Sequence, residues 1–320
     1  MKAIICNSYG PPERLRIADL PIPAPGPGEV LVRVHHATLN DYDWSLVRGR
    51  PYPYRLLFGL RRPKFPIPGI ELSGTVVGVG PNVGRFGVGA PVFGDISGSG
   101  WGSLAEYVVV KAKDIVARPP DIPSEVAVTL PHAGMLAWQA LFDAGRLMEG
   151  EQVLINGGGG GVGTLALQLA KTKGARVTGV DTGPKLERMT EMGFDDVIDY
   201  RRQDFTRPGG KYDLIVDTKT TRPATAYARV LRPGGRYVTV GGTLSRLIGL
   251  LLHKPFLSQP MKIVSLKPNR DMDALIPLVR EKKVVPLIDG PHPLTEVPHL
   301  LRYFGEGKHQ GKIVIQISTP

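Results

Sequence analysis

Residues 156–163 read NGGGGGVG, and within them Gly158, Gly160 and Gly163 stand at a spacing that suits phosphate chemistry. Two readings of such a run compete. Glycine has no Cβ and takes almost any backbone state, so five in a row make a flexible linker. The same freedom lets a tight turn carry backbone N–H groups onto a phosphate. The flanks decide between them. EQVLI (151–155) has the look of a short buried strand, and Val162, Leu165, Ala166, Leu169 and Ala170 recur at helical spacing. Strand, glycine turn and helix, followed by an acid at the end of the next strand, form the dinucleotide fingerprint. Asp181 is that acid, 23 residues after Gly158 and directly after ARVTGV (175–180). The chemistry implied is that of a bound NAD(P)H. A carboxylate at Asp181 suits the ribose 2′-OH of NADH and repels a 2′-phosphate, which leans the choice towards NADH. Lys185, Tyr200, Arg201 and Arg202 are near enough in sequence to favour NADPH instead.

The surrounding chain has to hold that loop. From 151 onwards, strands and helices alternate: the helix after the glycines ends at Gly174, KLERMTEMG is a helix, and DVIDY, YDLIVD and RYVTVGG are strands. This βαβ order predicts an α/β domain with a doubly wound parallel sheet. The first 120 residues differ. VLVRVHHATL (30–39), LSGTVVGVG (72–80), APVFGDI (90–96) and LAEYVVV (104–110) are strands between turn signals, which makes a β-rich, barrel-like unit. A helical stretch begins after Asp121. Beyond about residue 267 come a helix over 271–282, a second around Val297–Phe304 and a final strand, KIVIQI, expected to return to the N-terminal unit. The expected division is 1–120 with 268–320, and 121–267.

Bulk composition narrows the function. The 320 residues, 42% of them hydrophobic, are enough for two cores. No apolar run approaches the length of a membrane span; the longest, Leu247–Leu252, is expected to be buried or to flank a loop. The N-terminus reads as a first strand, not a signal peptide, and the expected location is cytoplasmic. Cys6 is the only cysteine, so a disulfide within the chain and a multi-thiolate zinc site are both excluded. The net charge is +11, but the basic residues are scattered, with no run of five, which argues against nucleic acid as the main partner.

Several stretches together resemble the medium-chain dehydrogenase/reductase superfamily over essentially the whole chain. They are GPGEVLVRV (26–34), ATLNDYDW (37–44), PGIELSGTVVGVG (68–80), GSLAEYVVV (102–110), INGGGGGVGTLALQLAK (155–171), VTGVD (177–181), DDVIDYR (195–201), RPGGRYVTVGG (232–242) and GKIVI (311–315). The likeness is greatest to the zinc-independent quinone oxidoreductase branch. It implies a GroES-like β-barrel catalytic domain built from both chain ends, with a Rossmann domain inserted between them. It also implies cofactor contacts from Gly158, Gly160, Gly161, Val162, Gly163, Asp181, Lys185, Tyr200 and Gly241, and a homodimer. Zinc-dependent relatives place ligands where this chain has Asn40 and Ile70, neither a normal zinc ligand, so no metal is expected. His35, His36 and His132 have no thiolate or carboxylate at ligand spacing.

Without zinc, a C=C conjugated to a carbonyl is a more natural hydride acceptor than a simple ketone. Asn40 matches the family's active-site asparagine, a hydrogen-bond donor to the developing enolate. Asp43 matches the aspartate three residues on, as a direct participant or a loop brace. Tyr52 and Tyr54, in RGRPYPYRL, are candidates for proton donor, substrate gate or pocket wall. Trp44 is expected to pack or to line the pocket. Leu136 stands where relatives often keep a threonine near the nicotinamide. The expected activity is NAD(P)H-dependent reduction of a small quinone or enone. The alternatives are an enoyl-thioester reductase, and a weakly catalytic NAD(P)H sensor that binds RNA.

Overall fold

The two sequence styles become a seven-stranded and a six-stranded sheet, beside a two-stranded one of Lys2–Ile5 and Arg16–Asp19, in the computed structural model, which describes residues 1–207 and 211–319. Contacts divide the chain into one unit of Met1–His132 with Ile288–Pro320 and a second of Ala133–Leu287. The first boundary falls beyond residue 120 because Ser124–Ala127 packs on the first unit, where the Ser124 hydroxyl bonds that of Ser73 at 3.0 Å.

In the first unit the central strand is Glu29–Thr38. It pairs antiparallel with Glu71–Val79, Tyr107–Lys111 and the C-terminal strand Lys312–Gln316. Pro91–Asp95 and Val116–Ala117 extend one side, and Ile288–Pro293 pairs parallel with Lys312–Gln316 on the other. Val30, Val32 and Val34 alternate inward onto Leu72, Val76, Val92 and Ile115, the period-2 pattern of a half-buried strand. From Val34 to Thr38 every residue is buried, so both faces of this strand end are covered. In the C-terminal pairing Val314 lies opposite Thr38. Continuing that register sets Lys312 across from Asn40, and the Leu39 N–H donates to the Ile313 carbonyl at 3.3 Å.

The second unit holds six parallel strands in the spatial order 196–199, 176–181, 152–156, 212–217, 231–239, 261–263. The first strand in sequence is central, as in a doubly wound Rossmann sheet. Leu165, Ala166, Leu169 and Ala170 of the Gly161–Lys171 helix are buried, as their spacing predicts. The chain is therefore α/β, with a GroES-like domain and a Rossmann domain.

One expectation is corrected. Leu247–Leu252 belongs to a helix, Leu244–His253, in which only Leu250 is buried, while Leu251 and Leu252 are 57% and 66% exposed. A near-continuous leucine run has no polar face to show which side packs. Among the described residues no helix is long and apolar enough to cross a membrane.

Candidate active site

The end of the Glu29–Thr38 strand carries a buried polar cluster. Asn40 precedes the helix Asp41–Arg48, and the Asp43 carboxylate reaches back to accept the Asn40 N–H at 2.9 Å, one half of a capping box. The other Asp43 oxygen accepts the Gly69 N–H at 2.8 Å. Gly69 has φ +101°, and a Cβ there would lie 2.3 Å from Ser103 Oγ, so only glycine brings this N–H to Asp43. Burial pushes the Asp43 carboxyl up to about 7; the two N–H donors and the charges of Lys312 and His132 pull the other way.

Glu71 opens the next strand and is fully buried. Its Oε1 accepts the His132 backbone N–H at 2.7 Å. Its Oε2 accepts the Thr38 hydroxyl and the Asn40 amide, the latter at 3.2 Å. The Lys312 ammonium lies 2.6 Å from the same oxygen and also donates to Asn40 Oδ1. Both Glu71 oxygens have hydrogen-bond donors, the condition under which a buried ion pair persists. Neither Lys312 nor Thr38 was expected at the site. The signal available for Lys312 was a lone charge opening an otherwise apolar strand.

Beside this cluster His132 Nδ1 meets Asp95 Oδ2 at 2.8 Å. The Tyr42 ring stands edge-on to the imidazole, with centroids 5.7 Å apart, and edge-on to Trp101 at 6.1 Å. Phe65 stacks on Trp101 at 5.5 Å, and Phe58 packs against both Trp101 and Tyr42. Tyr54 joins through Phe58, whereas Tyr52 is 60% exposed and lies under the guanidinium groups of Arg50 and Arg55. The structure thus brings Asn40 and Asp43 together and leaves Tyr52 on the surface. Trp44 packs under the C-terminal helix, where a Cβ on Gly305 would strike its ring, and carries Arg48 over its face at 4.2 Å.

In the second unit the glycine loop is strapped to the neighbouring strand. The N–H groups of Gly157 and Gly158 donate to the Val180 carbonyl at 2.8 and 3.1 Å, and that of Gly159 donates to Asp181 Oδ2 at 3.0 Å. A Cβ on Gly163 would lie 2.2 Å from the Gly157 carbonyl oxygen, and one on Gly158 would lie 2.7 Å from Met189 Cε. Gly157, at φ +85°, has Thr218 Oγ1 2.0 Å from the position of a Cβ. Gly160 caps the helix and Gly161, Val162 and Gly163 form its first turn, so the N–H groups of the positive helix end face outward from a turn whose one side chain is that of Val162. That cradle fits a pyrophosphate. Asp181 Oδ1 accepts the Thr182 N–H at 2.8 Å and lies 3.6 Å from Lys185 Nζ, both side chains being buried. Tyr200 is 39% exposed, and its N–H donates to the Asp181 carbonyl at 3.2 Å. Arg201 and Arg202 line a groove of about 670 Å³ with Gly183, Pro184 and Asp199. The Gly241 carbonyl accepts the Thr239 hydroxyl at 2.8 Å, and space is open where its Cβ would be.

The alcohol dehydrogenase GroES-like domain family matches residues 26–121, and the zinc-binding dehydrogenase family matches 192–315. The chain is 31% identical to the quinone-oxidoreductase homolog, chloroplastic, of Spinacia oleracea, over 99% of this chain and 98% of that protein. It is 28% identical to the 2-methylene-furan-3-one reductase of Solanum lycopersicum, over 98% of this chain and 79% of that one. Among solved structures the quinone oxidoreductase from Coxiella burnetii superposes with a TM-score of 0.88 at 27% identity, covering 99% of both chains. Among the described residues no three His, Cys, Asp or Glu side chains gather in the manner of a metal site. The chain belongs to the medium-chain dehydrogenase/reductase superfamily, in its quinone oxidoreductase branch of NAD(P)H-dependent enzymes.

Proposed function

We propose that this enzyme reduces quinones or α,β-unsaturated carbonyls with NAD(P)H and without a catalytic zinc. The observation that carries the reading is the cation on Glu71. The positions at which zinc-dependent relatives keep ligands hold Asn40 and the fully buried Ile70. The acid next to them is neutralised by the Lys312 ammonium, so the pocket's positive charge is organic. Asparagine and isoleucine at those positions would not hold the Lewis acid that alcohol oxidation relies on. Donors for charge developing on a carbonyl oxygen would come from Asn40, on turning its amide away from Glu71 and Thr38, and from Lys312 behind it. The aromatic wall of Tyr42, Trp101, Phe58 and Phe65 suits a flat conjugated acceptor.

Gly158, Gly160, Gly161, Val162 and Gly163 would hold the cofactor pyrophosphate, and the bound nicotinamide supplies the hydride. Asp181 already accepts two N–H groups and faces Lys185, which blunts its repulsion of a 2′-phosphate. This supports use of both NADH and NADPH, with Arg201 and Arg202 beside the groove favouring the second. The resemblance supports a homodimer.

The test is oxidation of NADH and NADPH by the purified protein, with 1,4-benzoquinone and cyclohex-2-enone as acceptors and EDTA present. Turnover lost to the chelator and restored by zinc refutes the metal-free reading; no turnover with any pair refutes the reductase reading. A second reading, an enoyl-thioester reductase, is favoured by the segment between Asp43 and Glu71. It carries Arg48, Arg50, Arg55, Arg61, Arg62 and Lys64 and no acid. A crotonyl coenzyme A thioester turned over faster than the free enone would establish it.

A further inference from the structure

We propose that His132 is the proton donor to the reduced substrate, acting through Nε2, and that Asp95 is the residue that positions it. This rests on the ene/quinone reductase reading and adds the acid which that reaction needs. Hydride adds to the β-carbon of the enone, the C=C pair moves to place charge on the carbonyl oxygen, and the α-carbon then takes a proton. For each two electrons delivered, one proton leaves His132 and is replaced from water.

Three observations place His132 there. Its Nδ1 is held by Asp95, whose side chain is fully buried, while the imidazole keeps a tenth of its own surface open. With Nδ1 engaged, Nε2 is the nitrogen left to meet a reactant. Its backbone is fixed independently, because its N–H donates to Glu71, and it sits in a single wide turn, Leu130–Gly134. Its ring forms part of the aromatic wall through Tyr42, so a flat acceptor on that wall lies beside the imidazole.

The charged and titratable groups around it are Asp95 from the Pro91–Asp95 strand, Glu71 and Lys312 from two others, and Asp43 and Tyr42 from the Asp41–Arg48 helix. Glu71 and Lys312 neutralise each other. Burial pushes the Asp95 carboxyl up, but its hydrogen bond to His132, that residue's charge and Ser97 outweigh it, so Asp95 lies below the usual carboxylate range. The imidazolium is the form that carries a proton on Nε2 while Nδ1 still donates to Asp95.

The experiment uses 2-methylcyclohex-2-enone, whose new stereocentre is the protonated carbon. The donor assignment expects wild-type protein to give one enantiomer in excess, with kcat/KM falling as pH rises. His132→Gln should lose about 10²-fold or more in kcat/KM, lose the enantiomeric excess and lose the alkaline limb, because a positioned general acid contributes roughly that much. Asp95→Asn should keep the excess and move the limb to lower pH. In the cofactor-free protein, the imidazole ¹⁵N resonances that vanish in His132→Gln should titrate, with a lower midpoint in Asp95→Asn. If His132→Gln does not fold, the Asp95→Asn shift in rate profile decides alone. Unchanged enantiomeric excess and pH profile in a folded His132→Gln, or an unmoved limb in Asp95→Asn, overturns the assignment while leaving the reductase reading intact. A wild-type protein inactive with every quinone and enone overturns both.

Discussion

Replacing Lys312 with methionine tests the central electrostatic claim. The ammonium is 7% exposed and lies 2.6 Å from a Glu71 carboxylate that is itself fully buried. Lys312→Met leaves that carboxylate with three neutral donors, from Thr38, Asn40 and His132, and no counter-charge. Breaking a buried pair from one side costs about 3–5 kcal/mol. The first unit spans 165 residues, and for a domain of that size 1 kcal/mol is roughly 2–4 °C. The expected fall in its melting transition is therefore roughly 6–20 °C, read by scanning calorimetry. Glu71→Gln with Lys312→Met should recover most of it. A glutamine oxygen still accepts the His132 N–H, and its NH₂ donates to the Thr38 hydroxyl oxygen and, once the Asn40 amide flips, to the Asn40 oxygen that Lys312 has vacated. A coupling energy of about 2 kcal/mol or more in the four-protein cycle is the signature. A Lys312→Met protein that melts within 2 °C of wild type, or a double variant no better than the single, would refute the claim that this ammonium supplies the counter-charge that Glu71 needs in the core.

Three further outcomes follow from the same geometry. Asp181→Ser removes the carboxylate that repels a 2′-phosphate beside Lys185 and should raise NADPH affinity relative to NADH by about tenfold, or 1.4 kcal/mol, in fluorescence titrations of both cofactors; an unchanged ratio means Asp181 does not reach the ribose. Gly163→Ala drives a Cβ to within 2.2 Å of the Gly157 carbonyl, a backbone atom with no rotamer to escape by, and should weaken binding of either cofactor about 10–100-fold, by the usual 1–3 kcal/mol of overpacking. Asp43 titrates near 7 when folded and near 3.9 when unfolded, so the folded state holds the extra proton. Its contribution is full below about pH 4 and is lost as pH rises through 7. The melting-point advantage of wild type over Asp43→Ser should therefore shrink from pH 4 to pH 8, and a constant or widening gap would contradict burial as the dominant influence on this carboxyl.

What could be read in the sequence, and what could not, divides by the range of the interaction. The loop at 156–163 was legible because its logic is local: the strand before it, the helix after it and an acid one strand later all lie within about 30 residues. Asn40 and Asp43 were legible only through the family resemblance, as members of the stretch ATLNDYDW, and the helix cap they form emerged from the structure. The rest of the catalytic pocket was not. Lys312 reaches Asn40 across 272 residues of chain, through an antiparallel pairing whose register no local pattern announces. His132 reaches Asp95 across 37, and no motif spacing links the two. Even within the glycine run the surplus residues answer to distant neighbours. Gly157 must be bare because Thr218 stands over it, and Gly159 because Lys185 Cδ lies 2.8 Å from where its Cβ would be. A pattern did exist for the ionic pair: Glu71 and Lys312 are single opposite charges opening two apolar strands. Two strands that each bury a lone charge in this way have to neutralise each other if they flank the same neighbour, because an unpaired ion in that core would cost more than the sheet gains. Both strands flank Glu29–Thr38, and that requirement is what places the pocket's charge at its end.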